Sequence, residues 1–261
     1  MKKPLIDVIF ASEKRTGMLL LLRDGPMEMA MILEMLGATR AALLPQAKIL
    51  QEHYLISRTK DTYLLTTLGK IIVGKMLPLK ENVDIFDTDI DYWGTRQIDS
   101  LPLSILKNIN QLGAYQIVTP SATEMFEDDN EFYKASKTSK TLCSVTTFLH
   151  PNFYDIQSDL ISRNVKVCFI LSPDLFNELR TNHYLDFKNW VNNKSFSFFI
   201  YPQEIGFLSL SYNDHYTKLR LKRSDGGFDS TYILCSGPSA LEWGKEIFEH
   251  YLKDAAPITD V

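Results

Sequence analysis

The chain has 261 residues, of which 45% are apolar and 23% charged, a globular composition that excludes a disordered chain and leaves room for one large domain or two ordinary ones. No apolar run approaches the ~18 residues of a membrane span, and the basic start Met1-Lys2-Lys3-Pro4 is followed by Asp7 and Glu13-Lys14-Arg15 instead of a signal-peptide core, which points to the cytoplasm. The net charge of −4 is unevenly spread: residues 1–80 hold 12 Lys and Arg against 7 Asp and Glu, the remainder 16 against 25, so a front suited to phosphate precedes a rear suited to water or a partner.

Leu5, Val8, Ile9, Met18, Leu19, Leu21 and Leu22 recur near the helical period and predict one helix from Leu5 to Arg23, stopped by Asp24-Gly25-Pro26. Pro26 suits the first position of a second helix, running to about Leu36 with Glu28 in its first turn. Gly37 ends it and Thr39 caps a third, Arg40 to His53, with Leu43, Ala47 and Leu50 inward. Pro45 lies inside that helix, which either kinks there or becomes regular only from Pro45. Two short strands, 55–58 and 62–65, flank a turn at Thr59-Lys60-Asp61, and a long helix runs from Leu68 to about Leu79.

This order predicts a winged helix-turn-helix over residues 1–80, whose third helix fits the major groove of duplex DNA while the hairpin reaches the adjoining backbone. Arg40 and Gln46 are the candidates for base edges; Lys48, Arg58 and Lys60, with Lys14 and Arg15, are candidates for phosphates. Ala41, Ala42 and Leu44 give the outer face little hydrogen-bonding capacity, so modest sequence discrimination is expected.

An acidic connector helix over 81–100 leads to residues 101–261, where strand-like and helical segments alternate and predict an α/β domain with a mixed sheet. The strands are placed at 115–118, 141–145, 165–171, 195–200, 207–211, 218–222 and 231–235. Helices are placed at 101–113, 122–137, 152–162, 173–181, 185–191 and 241–252, with a turn at Asp225-Gly226-Gly227. Cys143, Cys168 and Cys235 sit in strand-like flanks and read as core residues. His150 and Ser172 follow two of these strands, the edge where open α/β sheets take ligands, and are the candidate ligand-binding residues. Arg220 and Lys222 are placed on one strand face.

Several motifs occur together: Ile9-Phe10-Ala11-Ser12-Glu13-Lys14-Arg15, Leu43-Leu44-Pro45-Gln46, Leu65-Thr66-Thr67-Leu68-Gly69-Lys70-Ile71-Ile72, Asp91-Tyr92-Trp93, Phe148-Leu149-His150-Pro151-Asn152-Phe153 and Ser239-Ala240-Leu241-Glu242-Trp243-Gly244. Together they resemble an archaeal family of winged-helix transcriptional regulators that carry a C-terminal methanogenesis-regulatory-protein domain. The resemblance implies DNA binding and transcription control without supplying an effector. It makes Pro45 part of the family pattern, while Ala42 stands where a small hydroxyl residue is expected.

The layout of the rear domain also resembles the phospholipase D fold of some archaeal sugar-responsive regulators. The catalytic signature of that fold has Lys two positions after His. His150, His183 and His215 are followed at that position by Asn152, Leu185 and Thr217, so phosphodiester hydrolysis is rejected. No phosphate-binding loop, metal-ligand spacing or cofactor motif is found, and the Glu127, Asp128, Asp129, Glu131 group reads as a solvated helix face. The expectation is thus a non-enzymatic DNA-binding regulator, a homodimer by analogy with two-fold operators, with a small-molecule effector site. The alternatives are a protein-interaction adaptor whose winged helix touches no DNA, and a phospholipase D-like enzyme with a regulatory head.

Overall fold

The helix predicted to run unbroken from Leu5 to Arg23 is two helices, α1 (Leu5–Phe10) and α2 (Glu13–Leu21), parted at the extended residue Ser12. A single 3-10 turn, Leu22–Asp24, follows. The break is stable because α2 caps α1. Arg15 Nε and Nη2 donate to the carbonyls of Val8 and Asp7 at 2.5 and 3.1 Å, and Thr16 Oγ1 donates to that of Ile9 at 2.6 Å. These carbonyls belong to α1's last turns, where a helix end runs short of backbone donors; that of Asp7 also accepts from Ala11 N.

The computed structural model describes residues 3–121, 131–150 and 152–260, and the chain divides into two units, Met1–Val83 and Asp84–Val261. In the first unit Pro26 does not open a helix. The backbone stays extended through β1 (Met27–Glu28), and α3 (Met29–Leu36) begins three residues later than expected. The strand is recruited by pairing: Met27 lies opposite Tyr63 and Glu28 opposite Thr62, an interaction that outweighs the helix-start preference of Pro26.

Gly37 is left-handed at the end of α3. Thr39 Oγ1 then accepts from Ala42 N at the start of α4 (Arg40–Glu52). This helix continues through Pro45, which lies with Ala41 on its exposed side. The lost bond to the Ala41 carbonyl therefore falls where water can replace it. Next come β2 (Ile56–Thr59) and β3 (Thr62–Leu65), a two-residue hairpin with Lys60 left-handed, and then the 21-residue α5 (Thr67–Asp87). The sheet order is β1-β3-β2, all antiparallel. Leu43, Ala47 and Leu50 of α4 meet Met18, Leu19, Ile32, Tyr63 and Val73 in the core.

Residues from Asp84, expected in a connector, belong to the second unit, where Ile85, Tyr92 and Trp93 join its core. The tail of α5 is followed by α6 (Ile90–Gly94) and α7 (Leu103–Leu106), and the 3-10 turn Ile109–Leu112 completes the segment expected as one helix. The sheet begins with β4 (Tyr115–Val118). Of the helix expected over 122–137, α8 (Glu131–Ser136) is seen, and Glu127, Asp128 and Asp129 lie outside the described residues. The chain continues through β5 (Thr141–Thr146), α9 (Phe153–Ser162), β6 (Lys166–Leu171), α10 (Pro173–Asn182), α11 (Tyr184–Val191) and β7 (Phe196–Ile200). It ends with β8 (Ser209–Asn213), β9 (Tyr216–Arg220), β10 (Tyr232–Ser236), α12 (Pro238–Leu252) and β11 (Ala256–Ile258).

These strands form one mixed sheet in the order β11-β7-β6-β5-β8-β9-β10-β4, parallel only among β5, β6 and β7. The three strands that βαβ crossovers connect are the parallel ones. Alternation along the strands builds two cores. Val145, Ile170, Leu210, Leu219 and Ile233 face α12, whose Trp243, Ile247 and Phe248 cover them. Leu142, Val167, Phe169, Leu171, Tyr232 and Leu234 face the opposite side, with Phe153, Ile156 and Leu160 of α9 and Leu175 and Leu179 of α10. Gly244 lets α12 approach closely, since a Cβ there would lie 2.4 Å from Thr217 Oγ1 on β9. Thr217 also donates to the Ala240 carbonyl at 2.9 Å, which fixes which residues of β9 point the other way.

Candidate nucleic-acid interface and buried polar cavity

The seven residues expected at DNA divide by what the fold does with them. Arg15 is buried, and its remaining nitrogen Nη1 donates to Gln46 Oε1 at 2.6 Å. It ties α1, α2 and α4 together from a buried position turned away from solvent phosphate, which corrects the expectation. Gln46 is half-buried and oriented by this bond.

Arg40 and Arg58 converge on one carboxylate. Arg40 grips Asp61 with both terminal nitrogens at 3.2 and 2.8 Å, and Arg58 Nη2 reaches the same group at 3.2 Å while its guanidinium lies over the Tyr63 ring. Hydrogen bonding from Arg40, backed by the charges of Arg40 and Arg58, holds Asp61 below the usual carboxylate range. Lys14, Lys48 and Lys60 are exposed, Lys60 at the hairpin tip and Lys48 at 4.0 Å from Glu52 one turn on. The outer face of α4 therefore presents Arg40, Ala41, Leu44, Pro45 and Lys48.

The two ligand candidates also part company. Ser172 is the N-cap of α10: its Oγ accepts from Leu175 N at 3.3 Å, and its N–H donates to the Thr146 carbonyl. That role accounts for its burial and removes it from the ligand candidates. His150 lines a cavity on the α9 side of the sheet. Its Nδ1 accepts from Asn152 N at 3.3 Å and its ring meets Tyr133 edge-on.

The cavity holds residues that sequence reasoning missed. Cross-strand register sets two polar rows side by side: Lys218 of β9 opposite Ser211 of β8 opposite Ser144 of β5, and Arg220 opposite Ser209 opposite Thr146. All six line the cavity, together with Gln157 of α9 and the rings of Phe132, Tyr133 and Phe148. Lys218 is 7% exposed and Arg220 8%. Among the described residues neither forms an ion pair. Their heads rest on rings, Lys218 Nζ 4.2 Å from the centre of Tyr232 and Arg220 Cζ 5.3 Å from that of Phe148. Burial, reinforced by the neighbouring Arg220 charge, pushes the Lys218 ammonium down to about 7, and burial lowers Arg220 as well. Lys222, which the sequence reading placed beside Arg220, lies beyond β9 and pairs with Glu204 at 3.5 Å. The missed signal was the alternation Thr217-Lys218-Leu219-Arg220, in which a charge falls on every second position of a central strand.

Both parts of the chain match models of one family of regulatory proteins: the N-terminal domain of the methanogenesis regulatory protein FilR1 over residues 4–81, and its middle domain over residues 125–254. The chain belongs to this FilR1 family. The curated methanogenesis regulatory protein FilR1 of Methanothrix harundinacea (strain 6Ac) is 24% identical over 251 residues, covering 94% of this chain and 56% of that protein, so the chain spans a little over half the length of this relative. Among solved structures, TrmBL2, titled an archaeal chromatin protein with a novel mode of DNA binding, is 12% identical with a TM-score of 0.42, over 95% of this chain and 94% of that one. Nuc, a phospholipase D family member from Salmonella typhimurium, is 11% identical with a TM-score of 0.39, over 56% of this chain and 97% of that one.

Two outcomes follow from this geometry. Arg15→Ala leaves the Val8 carbonyl and Gln46 without their donor and should lower the stability of the first unit by about 2–3 kcal/mol, read as a shift of its urea midpoint. For Lys218, the unfolded chain keeps a proton that the folded chain rejects between pH 7 and its ordinary value near 10. Stability therefore rises with pH across that window, with a slope on the order of 1 kcal/mol per pH unit. Urea midpoints at pH 7 and 9 should show this rise in the native protein and a flatter response in Lys218→Met.

Proposed function

We propose that this chain is a DNA-binding transcription regulator, with residues 1–83 forming a winged helix-turn-helix and the second unit sensing a small-molecule effector. The observation that carries the DNA reading is α4. It is a 13-residue helix with Leu43, Ala47 and Leu50 buried and its other side exposed, followed directly by the β2–β3 hairpin with Lys60 at its tip. A helix of this width fits the major groove, and the adjoining hairpin suits the neighbouring backbone. The excess of Lys and Arg over residues 1–80 supplies the sequence-independent attraction. With Ala41, Leu44 and Pro45 on the outer face, recognition leans on phosphates and on methyl contacts more than on base-edge hydrogen bonds.

Membership in a regulatory family supports the regulatory half of this reading over the adaptor and enzyme alternatives. No described helix is long and apolar enough to cross a membrane, which fits a partner met in solution. The test is titration of the full chain into duplex DNA at 50 and 200 mM salt. Affinity should fall steeply with salt, and Lys48→Glu with Lys60→Glu should weaken binding at least tenfold with the fold intact. Asp61→Asn, which releases Arg40 and Arg58, should strengthen it several-fold. Absence of low-salt duplex binding overturns the reading.

A second copy of the chain is the proposed occupant of the outer side of α5, where Ile71, Leu79 and Val83 are 62, 53 and 44% exposed. Four- and eight-residue spacings line these side chains up with Lys75 in one stripe, and a two-fold dimer matches paired half-sites. Light scattering should give a dimer for the native chain and a monomer for Ile71→Asp with Leu79→Asp.

A further inference from the structure

We propose that the cavity on the α9 side of the second unit is a binding site for a small oxyanion, a phosphate group before a carboxylate, gripped by Lys218 and Arg220. The assignment names the ligand class for the sensing role proposed above. It depends on that role only for its consequence at DNA, because binding is measurable without DNA.

Buried cations are ordinarily paired with a carboxylate or hydrogen-bonded. Here two sit on alternate residues of one central strand, and among the described residues no Asp or Glu lines the cavity. Lys218 Nζ has rings around it, Tyr232 at 4.2 Å, Tyr133 at 5.0 Å and Phe132 at 5.5 Å, and no hydrogen-bond acceptor among the described residues. Arg220 Nε is buried without a partner among the described residues. Its nearest acidic influence, Asp229, is already held by Arg96 at 2.8 Å and Arg223 at 3.7 Å. Rings soften the loss of water around a cation, but they do not accept N–H bonds as an oxyanion does.

The rest of the lining fits the same guest. Ser144 and Ser211 hydroxyls lie 2.8 Å apart beside Lys218, while Ser209 and Thr146 continue the row from Arg220. Gln157 Oε1 is also buried without a donor among the described residues, a need that a protonated phosphate oxygen meets. The cavity volume is about 50 Å³, which admits a phosphate or carboxylate group. Two cations with His150 at the rim favour a doubly charged guest over a singly charged one.

The probe is inorganic phosphate, titrated by calorimetry into the full chain at pH 7 with ionic strength held by chloride, and acetate in a parallel titration. Phosphate should bind with one-to-one stoichiometry, and Lys218→Met and Arg220→Gln should each weaken it at least tenfold. Lys222→Met, outside the cavity, should bind as the native chain does. Where Lys218→Met fails to fold, Ser211→Ala serves in its place with a several-fold loss expected, and phosphate should also raise the thermal midpoint of the native chain above that in chloride. No heat and no thermal shift with phosphate overturns the site. Acetate binding as tightly as phosphate overturns the phosphate preference. Phosphate binding that leaves duplex affinity unchanged supports the site and counts against the sensing role alone.

Discussion

Taking an ammonium or guanidinium group out of water costs several kcal/mol unless something of opposite charge replaces the lost hydration, and β9 buries one of each, two residues apart. The second unit is arranged around that cost. On the α12 side the sheet is apolar from Ile170 to Ile233. On the α9 side, β5, β8 and β9 interrupt an otherwise aromatic layer with two rows of hydroxyls that end on Lys218 and Arg220. An apolar filling of these rows would be more stable, since hydrophobic replacement of buried charge is often stabilising. The polar rows have the character of a site, where stability is exchanged for binding.

The first unit handles its buried cation in the opposite way. Arg15 is as secluded as Lys218, yet two backbone carbonyls and the Gln46 amide occupy its nitrogens. Its charge sits against the C-terminal end of α1, where the helix dipole favours a cation. Each of its nitrogens is engaged, so the residue is a structural pin that ties α4 to α1 and α2. A buried cation is matched within the fold in one unit and is the proposed ligand contact in the other, and the difference is legible only in the partners.

Much of the element order was legible in the sequence because it rests on local signals: Thr39 as a cap, Gly37 as a left-handed stop and alternation in β5 to β7. The failures are places where a distant partner decides. Nothing near Ser12 announces that Arg15 and Thr16 will cap the preceding helix, and nothing near Pro26 announces that Met27 will pair with Tyr63. β11 was missed because Ala256-Pro257-Ile258 is too short to carry a period and exists through pairing with β7. In sequence Ser172 reads as a ligand residue because a helix cap and a binding hydroxyl occupy the same place after a strand. Arg220 is paired with Lys222 instead of Lys218 because the sequence places the strand two residues late, at 218–222 instead of 216–220, which leaves Lys218 as a strand's first residue.

The two units also differ in how readily their charges change partners. Arg40 and Arg58 share Asp61 at a surface where all three side chains are between about a third and a half exposed, and exposed pairs of this kind contribute about 0–1 kcal/mol. In the proposed DNA-binding role, a phosphate would displace Asp61 at little cost, from any sequence of duplex, which suits broad and salt-sensitive attachment. Lys218 and Arg220 have no carboxylate partner to displace among the described residues, and the water they lack was removed when the unit folded. An oxyanion that fits meets charges already stripped of solvent and fixed by the register of β9 with β8, and so gains more from each contact than at a wet surface. Tolerance at the hairpin and selectivity in the cavity thus follow from one quantity, the exposure of the arginine or lysine head.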